Sequence, residues 1–159
     1  MTVSKKHVAV VVAALILAAG TTRSQAADAV AEANATVHHR QQIMKTVGAL
    51  MAALGCTMEK KCTLDNKDLK HTGKGIAFMA ELSPASFKDK AEGATLKHTA
   101  KPNIWNEWTK FETSLKAMGE AAAKVETLAG DDKRNEALAA VADLGKTCKG
   151  CHDAFRDKK

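Results

Sequence analysis

The chain has 159 residues and a formal charge of +6, with 45% hydrophobic, 26% charged and 4% aromatic residues. This length fits one domain, and this charged fraction excludes a largely disordered chain. Two prolines and ten glycines are too few for a turn-rich β-sandwich, whereas the abundant Ala, Lys, Leu and Glu are strong helix formers. The composition therefore predicts an all-α single domain.

Residues 1–26 have the pattern of a cleaved signal peptide. Lys5 and Lys6 give a basic start, and residues 8–19 form an apolar run of twelve. Ser24 and Ala26 are small residues at the positions that a signal peptidase recognises. Twelve helical residues reach about 18 Å, well short of the hydrocarbon core of a bilayer at about 30 Å. We predict a mature domain of residues 27–159 in the periplasm, with no stable membrane insertion; an uncleaved anchor that tilts or thins the bilayer is the alternative.

Removal of this segment lowers the positive charge. It takes away Lys5, Lys6 and Arg23 but no acidic residue, so Lys plus Arg falls from 24 to 21 against 18 Asp plus Glu, which leaves +3. No cluster of basic residues alternates with aromatic ones. Nucleic acid is therefore a poor partner for this chain.

Two helical segments are predicted in the first half of the mature chain. Residues 29–54 have an inner stripe at steps of three and four, which consists of Val37, Arg40, Met44, Val47, Met51 and Leu54. Gly55 is suited to a left-handed cap at its end. Residues 65–82 carry Leu69, Ile76, Met79 and Leu82 on one side. Pro84 is expected to end this segment and to open a loop over residues 84–101, either functional or packed on the core by Phe87.

Two further helices are predicted in the second half. Pro102 opens the third, whose stripe repeats every seven residues and consists of Ile104, Trp108, Phe111, Leu115, Met118, Ala122 and Val125. Gly130 closes it. The fourth begins at Asp131 and has the inner stripe Leu138, Val141, Gly145, Cys148, His152 and Phe155. The pattern predicts an antiparallel four-helix bundle with a thin core, in which a large apolar group would fit.

The last helix contains the sequence C-x-x-C-H, the attachment signature of haem c. Cys148 and Cys151 lie on neighbouring positions of one helical turn, so each can add to a vinyl group of the same porphyrin. His152 follows and is placed to offer its imidazole to the iron. A redox C-x-x-C lacks its βαβ context, a zinc site lacks a nearby fourth ligand, and a disulfide would strain the helix. We therefore predict one covalent haem c.

Further stretches resemble class II c-type cytochromes, the cytochrome c prime group and its low-spin relatives. Residues 152–156 are similar to the ending of that family, residues 102–105 to the start of its third helix, and residues 40–45 to its first-helix segment. The resemblance implies that Arg40 and Gln41 contact the haem edge. Arg40 also interrupts an apolar stripe, where a buried charge needs a partner such as a haem propionate; a snorkelling surface arginine is the alternative.

The residue opposite His152 decides the function. Met44 lies where the low-spin members resembling this chain carry a methionine ligand, and His/Met ligation predicts an exported carrier of single electrons between redox partner proteins. If Met44 is instead a core filler, the iron is five-coordinate and binds nitric oxide or carbon monoxide. Met51 lies too far along the helix to replace Met44, and His38 and His39 are expected on a solvated face.

The resemblance has two further implications. Arg156, one helical turn after His152, would tune the proximal imidazole, with a plain surface charge as the alternative. Relatives often form a homodimer through their first two helices, whereas low-spin members are frequently monomeric, so the resemblance leaves both states open. No acid–base or nucleophilic constellation is present elsewhere, so we predict no enzymatic activity.

A second cysteine pair, Cys56 and Cys62, departs from the usual family pattern. In an oxidising compartment a disulfide closing this short loop is expected to add about 2 kcal/mol of stability. Two free thiols are the alternative.

Overall fold

A computed structural model describes the backbone of residues 5–158 and the side chains of residues 25–158. It contains five helices: α1 (Lys5–Met58), α2 (Asn66–Phe87), α3 (Asn103–Asn106), α4 (Trp108–Gly130) and α5 (Arg134–Phe155). The described residues form no strand, only an isolated bridge between Ala100 and Arg156. The four long helices make a bundle, which confirms the predicted fold class.

The signal-peptide prediction falls at the edge of the described region. Residues 1–4 lie outside it, as do the side chains of residues 5–24, and α1 runs as a backbone helix from Lys5. Within the described residues, no helix is long and apolar enough to cross a bilayer.

Helix α1 passes through Gly55, so the predicted cap there is wrong. Thr57 is buried and its hydroxyl donates to the carbonyl of Ala53 at 3.1 Å, which supports one more turn. The left-handed residue is Lys60, at φ 58°. The turn holds Cys56 and Cys62 with their Cα atoms 5.4 Å apart, close enough for the predicted disulfide.

Helix α2 begins as predicted, since Asp65 accepts a hydrogen bond from the backbone N–H of Asp68 at 2.7 Å. It does not end before Pro84 but continues to Phe87. A proline this close to the end breaks few hydrogen bonds, and the extra turn buries Phe87 in the core. Leu82 was expected inside but is 40% exposed.

Helices α2 and α4 approach each other closely at Gly73. A Cβ at this position would lie 2.9 Å from the backbone nitrogen of Glu126 and 3.0 Å from the carbonyl oxygen of Ala122. Gly73 therefore permits a backbone contact that a larger residue would prevent. The helix propensity that glycine costs α2 therefore has a packing reason.

The third predicted segment is confirmed with one interruption. A single turn, α3, precedes a break at Glu107 (φ −119°, ψ 41°), and α4 then continues to Gly130. Most of the predicted stripe is buried, and Trp108 is half-buried. The buried residues are Ile104, Phe111, Leu115, Met118, Ala122 and Val125. The loop that precedes α3 covers residues 88–102, shorter than predicted because α2 is longer.

Helix α5 starts later than predicted, because Asp132 is left-handed at φ 58° and delays the helix until Arg134. Its buried residues are Ala137, Ala140, Val141, Leu144 and Phe155. The predicted stripe was therefore partly wrong: Leu138 and Gly145 are half-buried and His152 is exposed. Helix α4 packs against both α2 and α5, and helix α1 packs against α2. Helices α1 and α5 have few contacts with each other.

Candidate haem site

A cavity of about 630 Å³ lies where α1 and α5 separate. This volume falls in the range of cofactor pockets, about 300–1,000 Å³. Its wall is mostly apolar and includes Leu115 and Met118 of α4 and the rings of Phe87 and Phe111. The thin core expected from the sequence thus takes the form of an internal space in the bundle.

Helix α5 contributes the attachment motif to this cavity. Cys148, Cys151 and His152 all line it, at the i, i+3 and i+4 positions that share one helix face. Both cysteines are half-buried and free of any disulfide. Burial raises the pKa of Cys148 and raises that of Cys151 to about 11, so both are neutral thiols at pH 7.

His152 lies at the edge of the cavity and keeps an accessible side chain. Desolvation of the part that packs on the protein, and then the charge of Arg156, lower the pKa of the His152 imidazole, while Asp153 opposes them. These effects favour the neutral imidazole, the form that binds a metal. Arg156 itself is half-buried and lines the cavity, so it is more than a surface charge.

Helix α1 contributes Met44 to the wall of the cavity, where it is half-buried. The other candidate ligands of this helix lie elsewhere: His38 and His39 are exposed, and Met51 packs against the bundle core. The structure therefore brings Met44 into the same cavity as His152. It also places Met118 there, a second thioether that had been predicted only as core.

Arg40 is buried, with 4% exposure, at the cavity wall. Its Nε donates to the carbonyl of Ser86 at 2.8 Å, its Nη2 donates to the carbonyl of Asp89, and its guanidinium lies 5.3 Å from the Phe87 ring centre. Burial lowers the pKa of Arg40, although the charge of Asp89 opposes this effect. Its Nη1 is buried without a hydrogen-bond partner among the described residues.

The free Nη1 tests whether a haem fits this cavity. A buried charged donor without a partner is costly, and an anionic oxygen beside it removes that cost. A haem has an apolar macrocycle with carboxylate groups at one edge, which matches an apolar cavity with a cationic donor at its wall. The residues present therefore fit the group.

Gln41 has a different partner from the one that the resemblance implies. Its Nε2 donates to the carbonyl of Lys97 at 2.8 Å, although its side chain also lines the cavity. This bond holds residues 94–101 of the loop, here called the strap, across the gap between α1 and α5. The strap brings Lys97 and His98 to the cavity wall, and sequence reasoning missed both because the loop has no periodic signal.

The strap is fixed at both ends. On α1, Asn34 Oδ1 accepts hydrogen bonds from the backbone of Thr95 and Leu96, each at 2.8 Å. On α5, the backbone of Lys101 donates to the carbonyl of Phe155 at 3.0 Å. The strap therefore connects two helices that otherwise have few contacts.

A family model described as Cytochrome C' matches residues 35–156, most of the chain and all of the residues that form this site. The chain belongs to the cytochrome c′ family. Members of the family carry one covalent haem c, and this chain is accordingly a monohaem c-type cytochrome. Cytochromes c′ are antiparallel four-helix bundles, and the four long helices here have that architecture, with one longer connection at residues 88–102.

Two curated relatives show the range of the likeness. The cytochrome c′ of Rhodospirillum rubrum is 32% identical over 146 residues, which cover 92% of this chain and 95% of that protein. The cytochrome c-556 of Rhodopseudomonas palustris is 31% identical, covering 77% of this chain and 83% of that protein. This chain is thus similar both to a relative named cytochrome c′ and to a relative named cytochrome c-556.

Solved structures support the same fold. Ferric cytochrome c prime from Alcaligenes xylosoxidans matches with a TM-score of 0.69 and 25% identity, over 78% of this chain and 94% of that chain. The nitric oxide complex of a point mutant of the same cytochrome matches with a TM-score of 0.70 and 24% identity, over 80% of this chain and 97% of that chain.

Proposed function

We propose that this cytochrome c′ is an exported haem protein whose iron keeps an open coordination position and binds nitric oxide or carbon monoxide. The observation that carries the proposal is membership of the cytochrome c′ family, whose iron is usually five-coordinate and binds nitric oxide or carbon monoxide. The mainly apolar wall of the cavity beside His152 supports it, as does the nitric oxide complex described for the Alcaligenes relative. Gas binding, the alternative left open by the sequence, is therefore preferred to electron transfer with a closed iron.

Residues of both α5 and α1 would hold the cofactor. Cys148 and Cys151 would supply the thioether links, and His152 would supply the proximal imidazole. Arg40 Nη1 would bind a propionate, while its other nitrogens stay on the backbone carbonyls of Ser86 and Asp89. When bound, haem c supplies an iron that exchanges single electrons and, if five-coordinate, binds diatomic gases.

The wall opposite the motif would select the ligand. Leu115, Phe111 and the thioethers of Met44 and Met118 offer no strong hydrogen-bond donor to a bound molecule. Such a wall admits small, uncharged gases, which lose little hydration on entering an apolar space.

A second candidate function is an electron carrier with His152 and Met44 as axial ligands. The observation in its favour is that Met44 lies in the wall of the same cavity as His152. Relatives named cytochrome c-556 and cytochrome c-554 are also similar to this chain. An enzymatic activity is not part of either proposal.

The reduced optical spectrum tests the choice. We expect a broad high-spin spectrum that changes on addition of carbon monoxide and that is the same for Met44→Ala and for the control Met118→Ala. Sharp α and β bands that ignore the gas, and that become gas-sensitive in Met44→Ala but not in Met118→Ala, would refute gas binding and establish the electron carrier.

Export has its own measurement. We expect periplasmic protein whose mass equals that of residues 27–159 plus one haem. A protein that keeps residues 1–26 would refute cleavage.

A further inference from the structure

The charges around the cavity have one sign. Arg40, Lys45, Lys97 and Arg156 line it, and no Asp or Glu of the described residues does. Lys45 and Lys97 are exposed, and the ion pairs found among the described side chains use other lysines. The net charge of the sequence alone does not indicate this local excess of cations, which the fold brings together at the cavity.

The same polarity extends past the end of α5. Three lysines lie near Asp153, the neighbour of His152, and one of them, Lys149, forms an ion pair with its carboxylate. Lys101 Nζ donates to the carbonyl of Asp153 at 3.2 Å. Asp153 is therefore outnumbered by lysines, although the exposed Asp157 adds a second acidic residue next to Arg156.

Haem carboxylates do not use up this charge. Arg40 already offers a buried, unpaired donor to a propionate, and it is too buried to reach a partner protein. The exposed cations Lys45 and Lys97 remain on the solvent side, together with the lysines around Asp153. A positive face of this kind attracts and orients an acidic surface.

We propose that this cationic face, formed by Lys45, Lys97, Lys101, Lys149 and Arg156, docks an acidic one-electron redox protein at the haem edge. The inference rests on the haem attachment proposed above, but it does not depend on which ligand takes the sixth position. Carbon monoxide binds only ferrous haem, so a cytochrome c′ that binds it needs a source of one electron, and a redox protein is one such source. The same face serves an electron carrier.

An acidic protein fits this face better than an anionic membrane. Membrane-surface binding combines basic residues with a broad apolar face. Here the exposed Phe78 and Leu82 lie on α2, a helix that contributes only Phe87 to the cavity wall. Among the larger exposed apolar residues of the described region, only Leu96 lies next to Lys97. One apolar contact within a polar, charged rim is typical of a transient protein interface.

The test measures reduction of the ferric holoprotein by a reduced plant-type [2Fe–2S] ferredoxin, an acidic probe whose potential, about −400 mV, makes the transfer favourable. Stopped-flow rates are measured for the wild type, for the double variant Lys45→Glu with Lys97→Glu, and for the double variant Lys67→Glu with Lys74→Glu. Each is measured between about 10 and 200 mM salt, a range over which screening of exposed charges rises steeply. The last pair is the matched control, since both lysines are exposed on α2 and make the same change in net charge.

We expect the wild-type rate to fall with salt, and the Lys45/Lys97 pair to be slower by about 10-fold or more at low salt with a flatter salt dependence. The control pair should stay within about 3-fold of the wild type. Equal slowing of both pairs, or a wild-type rate that ignores salt, would overturn the proposal. Binding to phosphatidylglycerol vesicles that depends on Lys45 and Lys97, with unchanged ferredoxin rates, would identify a membrane instead.

Soret absorbance and the midpoint potential of each variant separate this inference from the proposed function. A chain without a Soret band refutes haem attachment itself. A normal haem with a salt-independent rate refutes only the docking face.

Discussion

Replacement of Gly73 by alanine tests the close contact between α2 and α4. The new Cβ would lie 2.9 Å from the nitrogen of Glu126 and 3.0 Å from the oxygen of Ala122, both backbone atoms that cannot rotate away. Overpacking of this kind costs about 1–3 kcal/mol, whereas alanine gains about 1 kcal/mol in helix propensity. Gly73→Ala should therefore lower the free energy of unfolding by as much as about 2 kcal/mol.

The matched control is Gly48→Ala in α1, where nothing lies within 4 Å of the new Cβ. It should gain the helix term, about 0.5–1 kcal/mol, without a clash. The two variants should thus differ by about 1–3 kcal/mol, and urea unfolding followed by circular dichroism measures the difference. Equal stability of the two variants would refute the close α2–α4 contact.

Three further predictions concern the site and the turns around it. Arg40→Ala should lower the free energy of unfolding by about 2–4 kcal/mol, because the carbonyls of Ser86 and Asp89 lose their buried donor. Urea unfolding measures this loss, and a variant as stable as the wild type would contradict the prediction. Cys56→Ser with Cys62→Ser should cost about 2 kcal/mol, and an unchanged melting temperature would indicate two free thiols. Asn34→Ala should speed hydrogen exchange in residues 95–101 more than elsewhere, since it frees one end of the strap; uniform exchange would argue against that anchor.

Periodicity predicted the long helices where the apolar pattern was sustained, as in α4. It failed where a local rule was overridden by packing. Pro84 and Gly55 are both residues that end helices, yet burial of Phe87 and the hydrogen bond of Thr57 keep both helices going for another turn. Relative to alanine, glycine costs a helix about 1 kcal/mol and proline costs it about 3 kcal/mol. The free energy of tertiary contacts can exceed these costs.

The site was predictable to the extent that it is local. The motif of Cys148, Cys151 and His152 is contiguous, and Arg40 stood out as a charge in an apolar stripe. The strap gave no such signal, because its position depends on a bond between residues as distant in sequence as Asn34 and Thr95. Lys97 and His98 reach the cavity only through that connection.

The gap between α1 and α5 has a consequence for the life of the protein in the cell. Two helices joined mainly through a loop leave a bundle that is incomplete without the group stapled to α5. Chains without this group would open more often between α1 and α5 and would be degraded first. The abundance of this protein should therefore follow the supply of haem and of the machinery that attaches it, rather than the level of its messenger RNA alone.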